Sequence, residues 1–198
     1  MDRQFWKNKN IFITGHTGFK GSWLSVWLNE LGANVTGYSL SKPTDPSMFE
    51  TLSLEKKVNT VFGDIRDYDK LKAQVIMAKP DIVIHMAAQA LVLESYNNPI
   101  DTYETNLMGT VNIMNAMRDV PSIKAFINVT SDKCYENKEN FISFKEGDAL
   151  GGIDPYSSSK ACAELITSAY RHSFYKDTVA IATARAGNVI GGGDWALN

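Results

Sequence analysis

Tyr156 and Lys160 stand four residues apart in Tyr156-Ser157-Ser158-Ser159-Lys160, a spacing that puts both side chains on one face of a helix. A free phenol titrates near pH ~10. An ammonium beside it favours the phenolate, so the pair could take a proton from a hydroxyl. Tyrosine and lysine at this spacing also recur as a solvated surface pair, so the pattern needs a second signal upstream. Thr14-Gly15-His16-Thr17-Gly18-Phe19-Lys20-Gly21 supplies it. Between an apolar strand and a helical stretch, Gly15 serves a tight turn. Gly18 leaves room for a diphosphate against the backbone, and Gly21 lets the helix pack close to the sheet. Thr17, Phe19 and Lys20 share this loop, whose free amides at the helix start face an anion.

The spacing is Gly-x-x-Gly-x-x-Gly, and the acidic ribose ligand expected about 20 residues on is missing. No Asp or Glu occurs between Glu30 and Asp45. Ser39 could bond a ribose hydroxyl and Lys42 could meet a 2′-phosphate, so the pattern leaves NAD and NADP both open.

A third set lies in Val129-Thr130-Ser131-Asp132-Lys133-Cys134-Tyr135. If Ala125–Thr130 is a parallel strand, its C-terminal end brings Ser131, Asp132 and Lys133 to the ligand crevice beside Tyr156. An ordinary polar turn is the alternative. Cys134 has no histidine partner in view and reads as a packing residue. His85, ending an apolar strand, reads as a satisfied core histidine. His16 could touch a cofactor from within the glycine loop, and His172 reads as an exposed helix-end residue. Trp23 and Trp27 read as core. The glycines of Ala184–Trp195 suggest backbone approaching a ligand, with Asn188 as a donor.

The elements that must position these groups follow from hydrophobic periodicity. Strand-length apolar runs occur at Ile11–Thr14, Asn34–Tyr38, Thr60–Gly63, Ile82–His85, Ala125–Thr130 and Val179–Arg185. Helical patterns fall between most of them. Leu24, Leu28 and Leu31 precede a C-capping Gly32, and Asp67 caps a helix carrying Leu71, Val75 and Ile76 that stops before Pro80. Tyr103, Leu107, Val111 and Met114 form a helical face after Pro99, and Pro155 opens a helix through Cys162, Leu165, Ile166 and Ala169. Continuous apolar strands alternating with helices predict an α/β fold, a doubly wound parallel Rossmann sheet with helices on both faces. Ser41–Lys57 reads as a loop with a short helix. Glu136–Asp154 reads as a long polar loop near a site.

The chain has 198 residues, with 20 Lys+Arg against 22 Asp+Glu. That near-neutral balance argues against a nucleic-acid partner, which calls for a basic face. No apolar run approaches a membrane span, and the N-terminus lacks a signal-peptide core. The two cysteines have no metal-ligand spacing, so no metal is expected and the thiols suit a cytoplasmic protein.

Taken together, Gly15-x-x-Gly18-x-x-Gly21, Asp64-Ile65-Arg66-Asp67, His85-Met86-Ala87-Ala88-Gln89, Asn106-x-x-Gly109-Thr110 and Tyr156-x-x-x-Lys160 resemble the extended short-chain dehydrogenase/reductases. Three longer blocks, Gly15–Leu24, Thr130–Asn137 and Ala184–Trp195, closely resemble the CDP-glucose 4,6-dehydratase branch, along nearly the whole chain. The resemblance implies NAD as cofactor. Its contacts would come from Gly15, Thr17, Gly18, Phe19, Lys20, Gly21, Ser39, Asp64, Ile65, Met86, Ala87, Ala88, Gln89, Asn106, Tyr156 and Lys160.

It also implies a redox-neutral dehydration of CDP-glucose to CDP-4-keto-6-deoxyglucose. Tyr156 would take the C4 hydroxyl proton as hydride leaves C4, with Ser131 bonding the C4 oxygen. Lys133 stands where dTDP-glucose dehydratases carry a glutamate base for C5. Asp132 would protonate the departing C6 hydroxyl before hydride returns to C6, and Asn188 would contact substrate. A lysine base must be neutral, which burial or the nearby cofactor charge could favour. A homodimer through the helices around Tyr103 and Lys160 is implied as well.

The chain departs from relatives at Gln89-Ala90-Leu91-Val92-Leu93-Glu94, where they commonly read Gln-Pro-Leu-Val followed by arginine. Family members continue into a smaller substrate-binding lobe. Residues 1–198 are therefore expected to form the NAD-binding domain without that lobe. An epimerase or reductase on the same fold, or a dinucleotide-binding module without catalysis, are the competing readings.

Overall fold

The computed structural model describes residues 2–137 and 143–196. Residues 138–142 of the expected Glu136–Asp154 loop lie outside the described residues. Among the described residues the strands are β1 (Asn10–Thr14), β2 (Asn34–Ser39), β3 (Asn59–Phe62), β4 (Ile82–His85), β5 (Ala125–Val129) and β6 (Ala180–Ala184). They pair in parallel in the order β3-β2-β1-β4-β5-β6. The helices are α1 (Arg3–Trp6), α2 (Phe19–Glu30), α3 (Met48–Thr51), α4 (Tyr68–Ala78), α5 (Val92–Asn97), α6 (Pro99–Tyr103), α7 (Gly109–Ala116) and α8 (Pro155–Phe174). This is the doubly wound fold the periodicity predicts. Each expected strand is present to within a residue or two.

Side chains that alternate along each strand fill two cores. Ile11, Ile13, Val35, Ile82 and Ile84 meet Leu28 and Leu54 on one face. Phe12, Tyr38, Val83 and Phe126 meet Leu71, Val75, Ile113 and Met114 on the other. Strands buried on both faces must be apolar throughout, which is why β1 and β4 read as unbroken apolar runs. The caps act where expected. Asp67 accepts the Lys70 amide at 3.1 Å, Gly32 adopts a φ of +87° after α2, and Asp154 accepts the Ser157 amide at 2.9 Å ahead of Pro155. Ser41–Lys57 holds the short α3 and a 3₁₀ turn at Leu54–Lys56.

Two expectations need correction. Trp23 and Trp27 are not core; they are 46% and 50% exposed. The buried stripe of α2 is Gly21, Ser22, Ser25 and Leu28, three of them small enough to let the helix sit close. The single helical face from Tyr103 to Met114 is split instead into α6, a π-helical turn at Glu104–Met108, and α7. Tyr103 on it is 37% exposed, while Met114 is buried.

The sheet order reverses between β1 and β4, whose C-terminal residues Thr14 and His85 lie side by side. Connections diverge to opposite faces there, opening a crevice at the strand ends.

Candidate active site

The glycine loop leaves β1 and meets the end of β4 through backbone. Gly15 has a φ of +78°, and a Cβ there would lie 2.7 Å from the Ala87 nitrogen and 2.8 Å from the Met86 carbonyl carbon. Thr14 fastens the same junction: its Oγ1 accepts the Met86 and Ala87 amides at 3.1 and 3.2 Å and bonds His85 Nδ1 at 2.6 Å. Gly21 packs against the loop rather than the sheet, because a Cβ there would stand 2.1 Å from the Gly15 carbonyl oxygen. Gly18 differs. A Cβ there would meet only the Gly15 oxygen at 3.5 Å, an ordinary contact, so the chain itself leaves that space open. Open space above amides at a helix start fits an anion. Half-buried Lys20 adds a cation, its pKa lowered by burial.

Thr17 Oγ1 bonds Ser39 Oγ at 2.8 Å, tying the loop to the end of β2. Lys42 is already paired with Glu50 at 2.8 Å and Asp45 at 3.4 Å, so its charge is compensated. His16, expected to reach a cofactor, is instead fully buried. Its ring lies against Gly37, Phe49 and Thr60, and burial holds its pKa down to about 4. Asp64 is engaged by the Arg66 guanidinium at 2.6 Å, which holds its carboxyl below the usual range. Ile65 is buried against Gly109.

Behind the loop lies a polar network that the sequence did not disclose. His85 is the satisfied core histidine expected: Nε2 bonds Thr110 Oγ1 at 3.3 Å, and burial holds its pKa down to about 3. Asn106, in the π-helical turn, accepts the Gln89 amide at 2.8 Å and donates to the Gln89 carbonyl and to Ser159 Oγ. The Gln89 side chain donates to Thr102 and Leu91 and accepts the Leu91 amide. Both amides are therefore spent on holding Met86–Gln89 and the first turn of α8. The Thr–His pairing across neighbouring strand ends was the sequence signal for this network, visible only once β1 and β4 are known neighbours.

On the far side of the crevice, Ser131, Asp132 and Lys133 come together with Tyr156. The Ser131 Oγ donates to the Asp132 carboxylate at 3.1 Å and accepts the Lys133 amide at 3.2 Å, and the hydroxyl acts electrostatically on the Tyr156 phenol. The Asp132 amide donates to the Ala186 carbonyl at 3.0 Å, joining this turn to the segment after β6, where Asn188 is exposed. Tyr156 and Lys160 are both buried. Lys160 Nζ lies 3.5 Å from the Val129 carbonyl, and burial, reinforced by the Lys20 ammonium, pushes its pKa down to about 8. For Tyr156 the sequence argument anticipated a lowered pKa. Burial instead raises it, and the Ser131 hydroxyl opposes the rise. Lys133 is exposed rather than buried. Cys134 is buried packing, its thiol pushed up to about 11 by burial.

Beneath this turn lies a carboxylate that sequence reasoning missed. Glu164, one helical turn beyond Lys160, accepts hydrogen bonds from Thr130, from Thr183 at 2.9 Å and from Arg185 at 2.9 Å. The Arg185 guanidinium also stacks 4.8 Å over the Tyr135 ring. No cluster of three or more His, Cys, Asp or Glu side chains suited to a metal occurs among the described residues. No helix there is long and apolar enough to cross a membrane.

The arrangement brings the open glycine loop and the Ser131, Tyr156 and Lys160 side chains to one crevice, and the chain is similar to known proteins. The chain is 54% identical to the CDP-glucose 4,6-dehydratase of Salmonella typhimurium over 99% of its own length and 56% of that protein's. It is 32% identical to the dTDP-D-glucose 4,6-dehydratase of Dictyostelium discoideum, over 92% of this chain and 44% of that one. The chain thus spans about half the length of the curated relatives it matches. Among solved structures, an epimerase from Methanothermobacter thermautotrophicus superposes with a TM-score of 0.81 at 26% identity, over 96% of this chain and 55% of that one. A UDP-glucose 4-epimerase from Brucella ovis in complex with NAD gives 0.76 at 26%, over 89% and 51%. The family model described as GDP-mannose 4,6 dehydratase matches residues 12–188. The chain belongs to the GDP-mannose 4,6-dehydratase family.

Proposed function

We propose that this chain is the NAD-binding part of a CDP-glucose 4,6-dehydratase. The observation that carries the reading is the Ser131-Asp132-Lys133 turn packed on α8, with Ser131 and Asp132 beside Tyr156, within a sequence 54% identical to the Salmonella enzyme of that name. NAD is favoured over NADP because Lys42, the cation nearest in sequence to the ribose position, is paired with Glu50 and Asp45.

The open space at Gly18 and the Lys20 ammonium would hold the diphosphate, and Ser39 would contact the ribose. Bound NAD supplies a hydride acceptor for C4 and a donor for C6. Tyr156 Oη takes the C4 hydroxyl proton, and Ser131 Oγ orients that oxygen. The Lys160 ammonium stabilises the phenolate that forms. Asp132 and Lys133 stand where the C5 proton and the C6 hydroxyl leave, and together they pass that proton to the departing hydroxyl so that water is lost. Asn188 bonds the sugar nucleotide.

In the same reading the protein is cytoplasmic and pairs as a homodimer through α5, α6 and α8. Exposed Tyr96, Ile100 and Leu165 support that pairing, and light scattering tests it. An epimerase on this fold is the second reading, but it has no use for an acid such as Asp132 that expels a hydroxyl.

The test is incubation with NAD and CDP-, dTDP- or UDP-glucose, followed by mass spectrometry for loss of one water. The chain itself and a version extended to the length of its relatives are both assayed. Loss from CDP-glucose, abolished in Asp132→Asn with NADH still bound, is expected. Water loss that survives in Asp132→Asn would overturn the role given to that residue. No loss from any substrate by the extended chain would overturn the dehydratase reading.

A further inference from the structure

The segment after β6 runs back across the start of α2. The Trp23 indole N–H donates to the Gly192 carbonyl at 2.9 Å. The Phe19 ring closes on Gly191 so tightly that a Cβ there would lie 3.2 Å from its Cζ. Gly193 has a φ of +91°, and a Cβ on it would lie 2.3 Å from Met48 Sδ. Gly192, between them, faces open space. Gly193 is thus required by its backbone, Gly191 is packed under the Phe19 ring, and the middle glycine supplies an acceptor.

Two observations say that this contact is more than packing. Trp23 is 46% exposed and lies off the buried stripe of α2, so burial does not account for where its indole is held. The segment it meets has little else to fix it: Ile190 is 94% exposed, and residues 186–196 belong to no strand or helix. An exposed segment without ladder hydrogen bonds opens at small cost unless side chains tie it down. It nevertheless carries Asn188 at one end. It leans on Phe19 and Trp23, in the first turns of the helix whose start holds the anion.

We infer that Trp23 is a positioning residue that tethers the Asn188 segment to the first turns of α2, so that the substrate wall and the dinucleotide loop are held as one unit. The inference rests on the dinucleotide reading of the glycine loop. It predicts that loosening the segment weakens dinucleotide binding, although neither Trp23 nor Gly193 is needed to build the loop itself.

The 198-residue chain tests this by the opening of residues 187–195, read as the rate of limited-proteolysis cleavage within the segment, together with titration of NADH. Trp23→Phe keeps the ring and removes the donor. It should speed cleavage through the open form about fivefold, the scale of one net hydrogen bond, and weaken NADH binding by a similar factor. Gly193→Ala should do the same by a different route, through backbone strain and the Met48 contact. The double variant should be no worse than the worse single, because both release one tether. Gly192→Ala, whose methyl enters open space, should leave both readouts unchanged. Unchanged cleavage in Trp23→Phe overturns the tether. Faster cleavage with undiminished NADH affinity overturns the coupling. A wild-type chain that binds no NADH overturns the dinucleotide reading and the coupling with it, while the cleavage rates still judge the tether.

Discussion

The glycine loop and the turn after β5 stand two strands apart on one crevice, yet they are held in place by different means. Around Gly15 and Gly21 backbone meets backbone, at distances that leave no room for a methyl group. Around Ser131 the backbone is ordinary, and position comes from side chains. Ser131 bonds the Asp132 carboxylate and the Lys133 amide, and Glu164 gathers Thr130, Thr183 and Arg185 beneath the turn. A surface that grips a rigid, charged ligand gains from atoms that cannot move. A group that exchanges protons needs side chains whose charge can respond to their surroundings. The first design is vulnerable to added volume, and the second to a lost charge.

The largest expected effect breaks the side-chain design. Glu164 is 5% exposed and Arg185 stacks on Tyr135 above it. Glu164→Ala leaves a guanidinium and two hydroxyls facing a cavity, and uncompensated burial of that kind costs on the order of 3–5 kcal/mol. For a chain of this size, that lowers Tm by on the order of 10 °C. Denaturant melts should show the loss at an unchanged m-value. A loss under about 1 kcal/mol would mean the turn does not rest on this carboxylate.

Next comes the backbone design, where two glycines three residues apart should part company. Gly21→Ala drives a methyl into the Gly15 carbonyl and should cost about 1–3 kcal/mol. Gly18→Ala meets only an ordinary contact, so its melt should match wild type to within about 0.5 kcal/mol. The same methyl occupies the space proposed for the diphosphate, so NADH binding should fall at least tenfold. A Gly18→Ala chain that is stable and binds normally would remove the anion site from the loop.

The two designs were unequally legible in the sequence. Backbone requirements are written as glycine, a residue type with few other reasons to recur at fixed spacing, so Gly15, Gly18 and Gly21 stood out unaided. The parallel sheet was legible for a similar reason, because strands buried on both faces carry unbroken apolar runs. Side-chain networks use common residues whose partners lie far along the chain. Thr14 finds His85 71 residues away, and Glu164 finds Thr130 34 residues away; neither pairing has a local pattern. Trp23 and Trp27 misled because large aromatic residues at helical spacing look like a core stripe. In α2 the buried stripe is made of small residues instead. His16 misled because its neighbours in sequence belong to the loop while its neighbours in space are Gly37 and Thr60.

The last effect, absent at pH 7 and appearing only in acid, separates the two regions by pH. His16 is buried with its pKa at about 4, against 6.5 when free. The unfolded chain takes up a proton that the folded chain refuses, so stability is full above pH 6.5 and is lost as pH falls toward 4. At pH 5 that loss is about 2 kcal/mol for this one residue. His85, whose pKa is about 3, adds a loss of the same sign beginning at the same pH. Glu164 behaves differently. Burial pushes its pKa up, but hydrogen bonds from Arg185, Thr130 and Thr183 outweigh it and hold the pKa below 4.5. Its stabilisation is therefore full above pH 4.5 and is lost only as the pH falls from there through the folded value. Lys160, at about 8, has already regained its proton and contributes no slope in this range. Between pH 6.5 and 4.5 the acid sensitivity should therefore belong to the histidines of the glycine-loop half. Unfolding free energy followed over that window should decline less steeply in His16→Asn than in wild type, whatever the variant's stability at pH 7. An unchanged slope would falsify the claim that His16 is held neutral inside the fold, and the acid-sensitive element would then have to be sought at the other end of the crevice.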